Sequence, residues 1–408
     1  MKVPDFLTKD VLVKIIENGY NFVDFTINNV KVESGVPDGE NYCSRVYRVF
    51  VDVIDSEKNV ERIQLFIKEQ LTKDTSEELL ENMELFVKEI DMLENILPML
   101  SKIAGGVQFA PKFFHSISEP KVKLIASQDL TEINYHMANR HNSLDYDHCC
   151  IALAKLGQMH AASMILAKEN PSLMDKYNYG IFHGTVGKKS YIESILGPNF
   201  LVLCDSAEKW EGFEEISAKL NKMKDNFWAI VYESDLDKND GYRVLTHGDF
   251  WINNFLFKYD EVTGKPIDTI FVDLTYSHYT SPANDVQYFL NTSPKNEIRE
   301  SRREDLIRVY YASFERTLSD LNHRVIPTFD DLLVEMRKKE MFGFMSAIFI
   351  LPLVLMERQS PLGYGIDGLV EPETSKDMIN IMITGKSYTE TIKLILKRAD
   401  KLKLFDFE

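Results

Sequence analysis

Polar and apolar positions alternate with a period of two in three early runs, Asn28 to Glu33, Ser44 to Val53 and Val60 to Lys68, which predicts antiparallel strands. Thr8 to Asn18 before them has the apolar stripe of a lead-in helix. After them Thr75-x-x-Glu78 forms a capping box, and Leu79, Met83, Phe86, Ile90, Leu93 and Leu97 recur at helical spacing until Pro98 and Gly105-Gly106 break the pattern. Leu124-Ile125-Ala126 reads as one more strand. Beyond Asp129 the period shifts to that of helices: Asp147 to Ala167 reads as one helix, and Ala207 to Phe227, Arg303 to Asp320, Asp330 to Met356 and Lys376 to Leu402 contain further helical patterns, some interrupted. The segment Lys168 to Glu208, with Gly180, Gly184, Gly187 and Gly197-Pro198, is the least regular and suits a substrate-adapted insertion. The expected class is α+β in two unequal lobes: residues 1–128 with an antiparallel sheet and one helix, and residues 129–408, mainly helical.

Within the helical part three short strand-like runs stand out, Tyr242 to Thr246, Asn254 to Lys258 and Thr269 to Val272. They bracket His247-Gly248-Asp249-Phe250-Trp251-Ile252-Asn253-Asn254 and lead into Asp273. Asp249 and Asp273 would therefore sit where strands open into loops. Transfer of a γ-phosphoryl group needs a carboxylate near the attacking hydroxyl, an amide ligand for magnesium and a second carboxylate holding the metal on the triphosphate. Asp249, Asn254 and Asp273 fit those roles in that order, and Asp249 and Asn254 keep the Asp-x-x-x-x-Asn separation of a kinase catalytic loop. Asp249 is the expected base, while Asn254 and Asp273 are hard oxygen ligands suited to Mg2+. Taken alone, Asp249 could instead be a loop acid capping a turn.

His247-Gly248-Asp249-x-Trp251-x-x-Asn254 resembles the motif of the ecdysteroid kinase-like family, within the protein kinase-like superfamily that includes choline kinases and aminoglycoside phosphotransferases. Gly39-Glu40-Asn41-Tyr42-Cys43-Ser44 resembles that family's phosphate-facing turn, Phe86-x-x-Glu89 its helix C, Gln128-Asp129-Leu130 its hinge, and His160-Ala161-Ala162-Ser163 the helix after the hinge. Ser281-Pro282-Ala283-x-Asp285 resembles the helix start after the metal-binding acid. The matches run in order from about residue 30 to about residue 290. The resemblance implies a two-lobed protein kinase-like fold that binds ATP through Lys68, Glu89, Asn41, Tyr42, Gln128 and Leu130, with Asp249, Asn254 and His247 in the catalytic loop. The chain departs from the family at Gln128, where Glu is usual, at Leu274-Thr275 in place of Phe-Gln, and at Leu93 in place of Tyr; these positions bear on substrate choice and nucleotide affinity more than on catalysis.

Several residues carry a second reading. Lys68 at a strand end can reach the α- and β-phosphates if Glu89 holds it, and its place in that pair rests on order and resemblance; as a lone lysine it is a solvated charge. Lys88 adjoins Glu89 and offers an alternative register. Gly39 to Tyr42 is no G-x-G-x-x-G loop and by itself predicts a turn. His247 resembles a residue that braces the loop, His160 a packed histidine, and Trp251 an anchor of the loop on the larger lobe. Asp285 is either an acid at a helix start or a contact to the catalytic loop.

Composition narrows the partners. The 408 residues are 44% hydrophobic, enough apolar surface for two lobes, and 47 Lys and Arg against 63 Asp and Glu give a formal charge of −16, which argues against a nucleic-acid partner. The N-terminus lacks an apolar core of signal-peptide length, and the most apolar run, Met341 to Met356, is shorter than the roughly 20 residues of a membrane span and contains Pro352. Cys43, Cys149, Cys150 and Cys204 have neither metal-ligand spacing nor disulfide-scaffold density. These features predict a cytoplasmic enzyme with no membrane partner. The expected activity is ATP-dependent phosphorylation of a hydroxyl on an ecdysteroid or related steroid or xenobiotic alcohol. Alternatives are an amino-alcohol kinase of the choline or ethanolamine type, whose quaternary ammonium would want an aromatic cage, and a nucleotide- or hormone-binding pseudokinase.

Overall fold

The computed structural model describes residues 1–20, 22, 24–35, 44–70, 85–119, 122–184, 191–236, 241–356 and 372–406. Five antiparallel strands, β1 (Thr26–Ser34), β2 (Ser44–Ile54), β3 (Val60–Gln70), β4 (Phe113–Glu119) and β5 (Val122–Gln128), form one sheet in the order β1-β2-β3-β5-β4. Strand parity gives this sheet two different faces. Val49, Val51, Val53, Ile63, Leu65 and Ile67 point to one side, where they pack with Leu12, Ile15 and Ile16 of the helix Lys9–Gly19, capped by Thr8. Each such buried aliphatic side chain contributes about 1.5–3 kcal/mol. Lys68 takes the opposite face, paired directly with Ile125, and Ile125 belongs to the large core that contains helix C. The alternation of the strand thus aims Lys68 at that helix.

Helix C runs Leu85–Asp91, continues through a π-helical turn Met92–Ile96 and resumes at Leu97–Ile103. The predicted break at Pro98 does not occur. Pro98 enters in the first turn of the resumed helix, where its missing N–H matters least, and the widened turn ahead of it absorbs the ring. The Thr75-x-x-Glu78 cap, Leu79 and Met83 lie outside the described residues, as does the turn Gly39 to Cys43.

Past the hinge the chain is mostly helical. The long helix Tyr146–Glu169 packs on Arg303–Asp320 so closely that a Cβ at Gly157 would stand 2.6 Å from the Tyr310 carbonyl oxygen. It is the one described helix long and apolar enough to cross a membrane, and 67% of its most apolar window is buried inside the protein. All ten residues of Ala283–Thr292 are buried, five of them polar, so this helix belongs to the interior and its side chains must find partners there. A three-stranded sheet in the order β6 (Tyr135–Met137), β8 (Phe255–Tyr259), β9 (Pro266–Phe271) and a two-stranded ladder of β7 (Val244–Leu245) with β10 (Tyr279–Thr280) present the loops between them.

One further expectation is corrected, and three interrupted helical patterns are resolved into their pieces. The segment taken as irregular holds the helix Tyr191–Ala207, which passes through Pro198 because Phe200, Leu203, Cys204 and Ala207 bury one stripe at positions i, i+3, i+4 and i+7. The helical pattern over Ala207 to Phe227 narrows to Glu214–Met223. Asp330 to Met356 divides into Phe329–Lys338, Glu340–Phe349 and Leu351–Leu355, the last with Pro352 in its first turn. Lys376 to Leu402 divides at Gly385 into Pro372–Thr384 and Lys386–Lys401.

Candidate active site

The loop after β7 is held from beneath by one carboxylate. Asp285, 1% exposed, accepts the His247 amide at 2.6 Å, the Gly248 amide at 2.9 Å and a ring N–H of His160 at 3.1 Å, and the other ring nitrogen of His160 meets the Tyr310 hydroxyl at 2.8 Å. Asp285 is therefore the anchor of the loop. His160 is the packed, hydrogen-bonded histidine expected of it. Gly248 has φ +84°, and a Cβ there would lie 1.9 Å from the Tyr276 carbonyl oxygen, so only glycine fits.

His247 braces the same loop. Its Nε2 lies 3.1 Å from the Val272 carbonyl oxygen and its Nδ1 lies 3.3 Å from the Asp249 amide nitrogen. A carbonyl only accepts and an amide N–H only donates, which places the proton on Nε2 and leaves the ring neutral. Burial also lowers its basicity. Trp251 is 7% exposed and packs in the main core, as an anchor does.

Asp249 is partly buried with both carboxylate oxygens held. Tyr288 donates its hydroxyl to Oδ1 at 2.5 Å, and Asn254 Nδ2 donates to Oδ2 at 3.0 Å and to the Asp249 backbone carbonyl at 2.9 Å. Burial, with the charge of Asp273 adding to it, raises the Asp249 carboxyl to about 7, against the pull of the Tyr288, Asn254 and Trp251 hydrogen bonds. Asn254 spends its amide nitrogen on Asp249, which turns its Oδ1 away as a remaining acceptor. Its own carbonyl accepts the Val272 amide at 3.0 Å, so Asn254 stands beside Asp273.

Asp273 adopts φ +61°, a costly backbone for a residue with a side chain and one found where surrounding structure imposes it. Its Oδ1 accepts from Thr275 Oγ1 at 2.9 Å and lies 3.4 Å from Lys68 Nζ. Burial pushes its carboxyl up, but the Lys68 charge and the Thr275 hydrogen bond bring it below the usual range. Lys68 Nζ also pairs with Glu89 Oε2 at 2.7 Å. Burial keeps the Glu89 carboxyl raised against the pull of Lys68. The adjacent Lys88 is turned elsewhere, to the Tyr179 carbonyl at 3.2 Å, which resolves the register of the pair in favour of Glu89.

At the hinge Asp129, 1% exposed, joins three elements: it accepts from Arg48 Nε on β2, from Gln64 Nε2 on β3 at 2.6 Å, and from the Thr131 amide and hydroxyl at 3.0 and 2.8 Å. Gln128 uses its amide oxygen on Gln108 Nε2 at 3.0 Å and its backbone N–H on the Lys112 carbonyl at 2.9 Å. Leu130 is buried with Tyr135 and Ile270, and the partly buried Leu256 and Val272 complete an apolar cluster next to Asn254 and Asp273. Asn41 and Tyr42 lie outside the described residues. Of the residues now seen at the site, Tyr288 was missed. Its signal was the i,i+3 spacing from Asp285, which puts both on one face of the helix Ala283–Thr292.

A strand lysine held by a helix glutamate, a hinge, and two neighbouring loops that bring Asp249 and Asn254 beside Asp273 define a kinase-like phosphotransferase. A sequence profile described as the ecdysteroid kinase-like family matches residues 38–323, and the chain belongs to that family, whose members are small-molecule phosphotransferases acting on hydroxyl groups. Among solved structures, a point mutant of aminoglycoside 2′-phosphotransferase-IIIa in complex with GDP is similar at 14% identity with a TM-score of 0.43, covering 98% of this chain and 100% of that one. Glucosamine kinase in complex with glucosamine, ADP and inorganic phosphate is similar at 11% identity with a TM-score of 0.34, covering 84% and 94%. An aminoglycoside phosphotransferase from Streptomyces rimosus in complex with ADP and streptomycin is similar at 10% identity with a TM-score of 0.32, covering 72% and 90%. A search of curated proteins gives no match.

Proposed function

We propose that this protein is an ATP-dependent kinase that phosphorylates a hydroxyl of an ecdysteroid or a related steroid or xenobiotic alcohol, working in the cytoplasm with the nucleotide between lobes that divide at residues 128 and 129. The observation that carries the chemistry is the grouping of Asp249, Asn254, Asp273 and Lys68: Asn254 bonds Asp249 at 3.0 Å, its backbone carbonyl takes the Val272 amide next to Asp273 at 3.0 Å, and Asp273 meets Lys68 at 3.4 Å. The ecdysteroid class rests on family membership. The free Cys149, Cys150 and Cys204 accord with a reducing compartment.

Asp249 accepts the proton of the acceptor hydroxyl as that oxygen bonds to the γ-phosphorus and the bond from the γ-phosphorus to the bridging oxygen of ADP breaks. Tyr288 and Asn254 hold the carboxylate in place for this. Lys68, itself held by Glu89, faces the α- and β-phosphates, and Leu130 with its apolar neighbours offers a surface to the base. The donor set fits magnesium: Asp273 is kept ionised by Lys68 and Thr275, and Asn254 keeps an amide oxygen free of Asp249, both hard oxygen ligands. Bound there, the ion would neutralise charge on the β- and γ-phosphate oxygens.

The test is a panel of steroid, phenolic and amino alcohols incubated with ATP and magnesium and read by mass for an added phosphate. Phosphorylated steroid is expected. Phosphate on amino alcohols alone would overturn the acceptor class, and no product together with no nucleotide binding would overturn the kinase reading.

A further inference from the structure

Helix C carries Glu89 toward Lys68, yet two of its other charged residues, Lys88 and Asp91, grip a different part of the molecule. Asp91 accepts from the Tyr177 hydroxyl, from Lys176 Nζ at 2.5 Å and from Asn95 Nδ2 at 2.9 Å. Lys88 Nζ donates to the Tyr179 carbonyl at 3.2 Å and sits 3.6 Å from the centre of the Tyr179 ring. Lys88 is 7% exposed and Tyr177 fully buried, so the Lys88 charge is tolerated there only because it is paired, whereas the Asp91–Lys176 pair reaches the surface. Burial pushes the Asp91 carboxyl up, and the Lys176, Tyr177 and Asn95 hydrogen bonds outweigh it.

The gripped segment, Lys176 to Tyr179, is itself tied down on its far side. The Tyr279 amide donates to the Tyr177 carbonyl at 2.7 Å, which hooks the segment to β10, just beyond Asp273. The Phe182 amide donates to Asp235 Oδ2 at 3.2 Å. Asn178 of the segment, with His183 and Gly184 just beyond it, lines a polar cavity of about 210 Å³, opposite Asp235, Arg243 and Tyr279. This strap is thus shared between helix C and the wall of a cavity in the larger lobe.

Positions 88 and 91 are three apart and lie on one side of the helix, with 89 about 100° around from 88. Fixing 88 and 91 fixes the rotation of the helix and hence the direction of Glu89. We propose that Lys88 and Asp91 are positioning residues for the nucleotide site: by clasping the strap Lys176 to Tyr179 they hold Glu89 on Lys68, and they join nucleotide binding to the strap that walls the cavity. This inference rests on the kinase reading given above.

The test is a double-mutant cycle on the dissociation constant of ATP with magnesium, measured by calorimetry on the full chain. Tyr177→Phe, which removes one oxygen, and Lys88→Met are each made alone and together with Glu89→Ala, with melting curves to establish that each variant is folded. Alone, each is expected to weaken ATP about fivefold, and in the Glu89→Ala background to change it by less than about 1.5-fold, because the clasp acts only through Glu89. Equal factors in both backgrounds, or wild-type affinity in folded single variants, would overturn the clasp while leaving the kinase reading intact. A wild-type protein that binds no nucleotide would overturn both.

Discussion

Tyr288 donates its hydroxyl to Asp249 Oδ1 at 2.5 Å from a helix whose every residue is buried, so the candidate base is aimed by a side chain that itself cannot move. Removing that oxygen should loosen the carboxylate without touching the nucleotide. Tyr288→Phe is expected to lower kcat about tenfold, the scale of a lost hydrogen bond to a charged group, with the ATP KM unchanged. Steady-state kinetics on the acceptor found in the alcohol panel checks it, and a wild-type kcat would remove Tyr288 from the positioning of Asp249.

Asp249→Asn should separate activity from stability. Turnover is expected to fall about a hundredfold to ten-thousandfold, the usual worth of a general base. Because the folded carboxyl sits at about 7 against 3.8 for an ordinary one, the native state holds more protons than the unfolded state between those values, and stability falls as pH rises through that window. The asparagine removes this penalty, and the Tyr288 hydroxyl can rotate to accept from its amide. Without magnesium, the variant is therefore expected to melt higher than wild type at pH 8 and to lose that advantage near pH 4. A lower melting point at pH 8 would contradict the raised carboxyl.

Asp273→Ala removes the carboxylate proposed above as an oxygen ligand for magnesium. The magnesium-dependent part of ATP affinity is expected to disappear, leaving a weak, metal-independent component seen by calorimetry. Unchanged affinity with magnesium would assign the metal elsewhere.

Asp285→Ala strands the buried His247 and Gly248 amides and a ring nitrogen of His160. Each unsatisfied buried group costs about 1–3 kcal/mol, so the variant is expected to lose several kcal/mol in urea unfolding and, with the loop untied, most of its turnover. A loss under about 1 kcal/mol would show that other groups anchor the loop.

What could be read in the sequence was what is local. Asp249, Asn254 and their flanking strands sit within sixteen residues, Val244 to Tyr259, and the strand alternation that ends at Lys68 already aimed it away from Ile67. The breaker rule misled at Pro98 and Pro198, because a widened turn absorbs one ring and a buried stripe outweighs the other. Tyr288 and the strap at Lys176 to Tyr179 were hidden because their partners, Asp249 and helix C, are 39 and more than 80 residues away, and only the fold brings them together.

Asp129 binds side chains of β2 and β3 and the turn at Thr131 with a single carboxylate. The roof and the first turn of the connection therefore travel as one piece, and any breathing of the mouth has to pivot further along. The turn closes on Asn134, whose left-handed conformation (φ 62°) hands the chain on to β6, so the connection is held from the hinge to the second sheet.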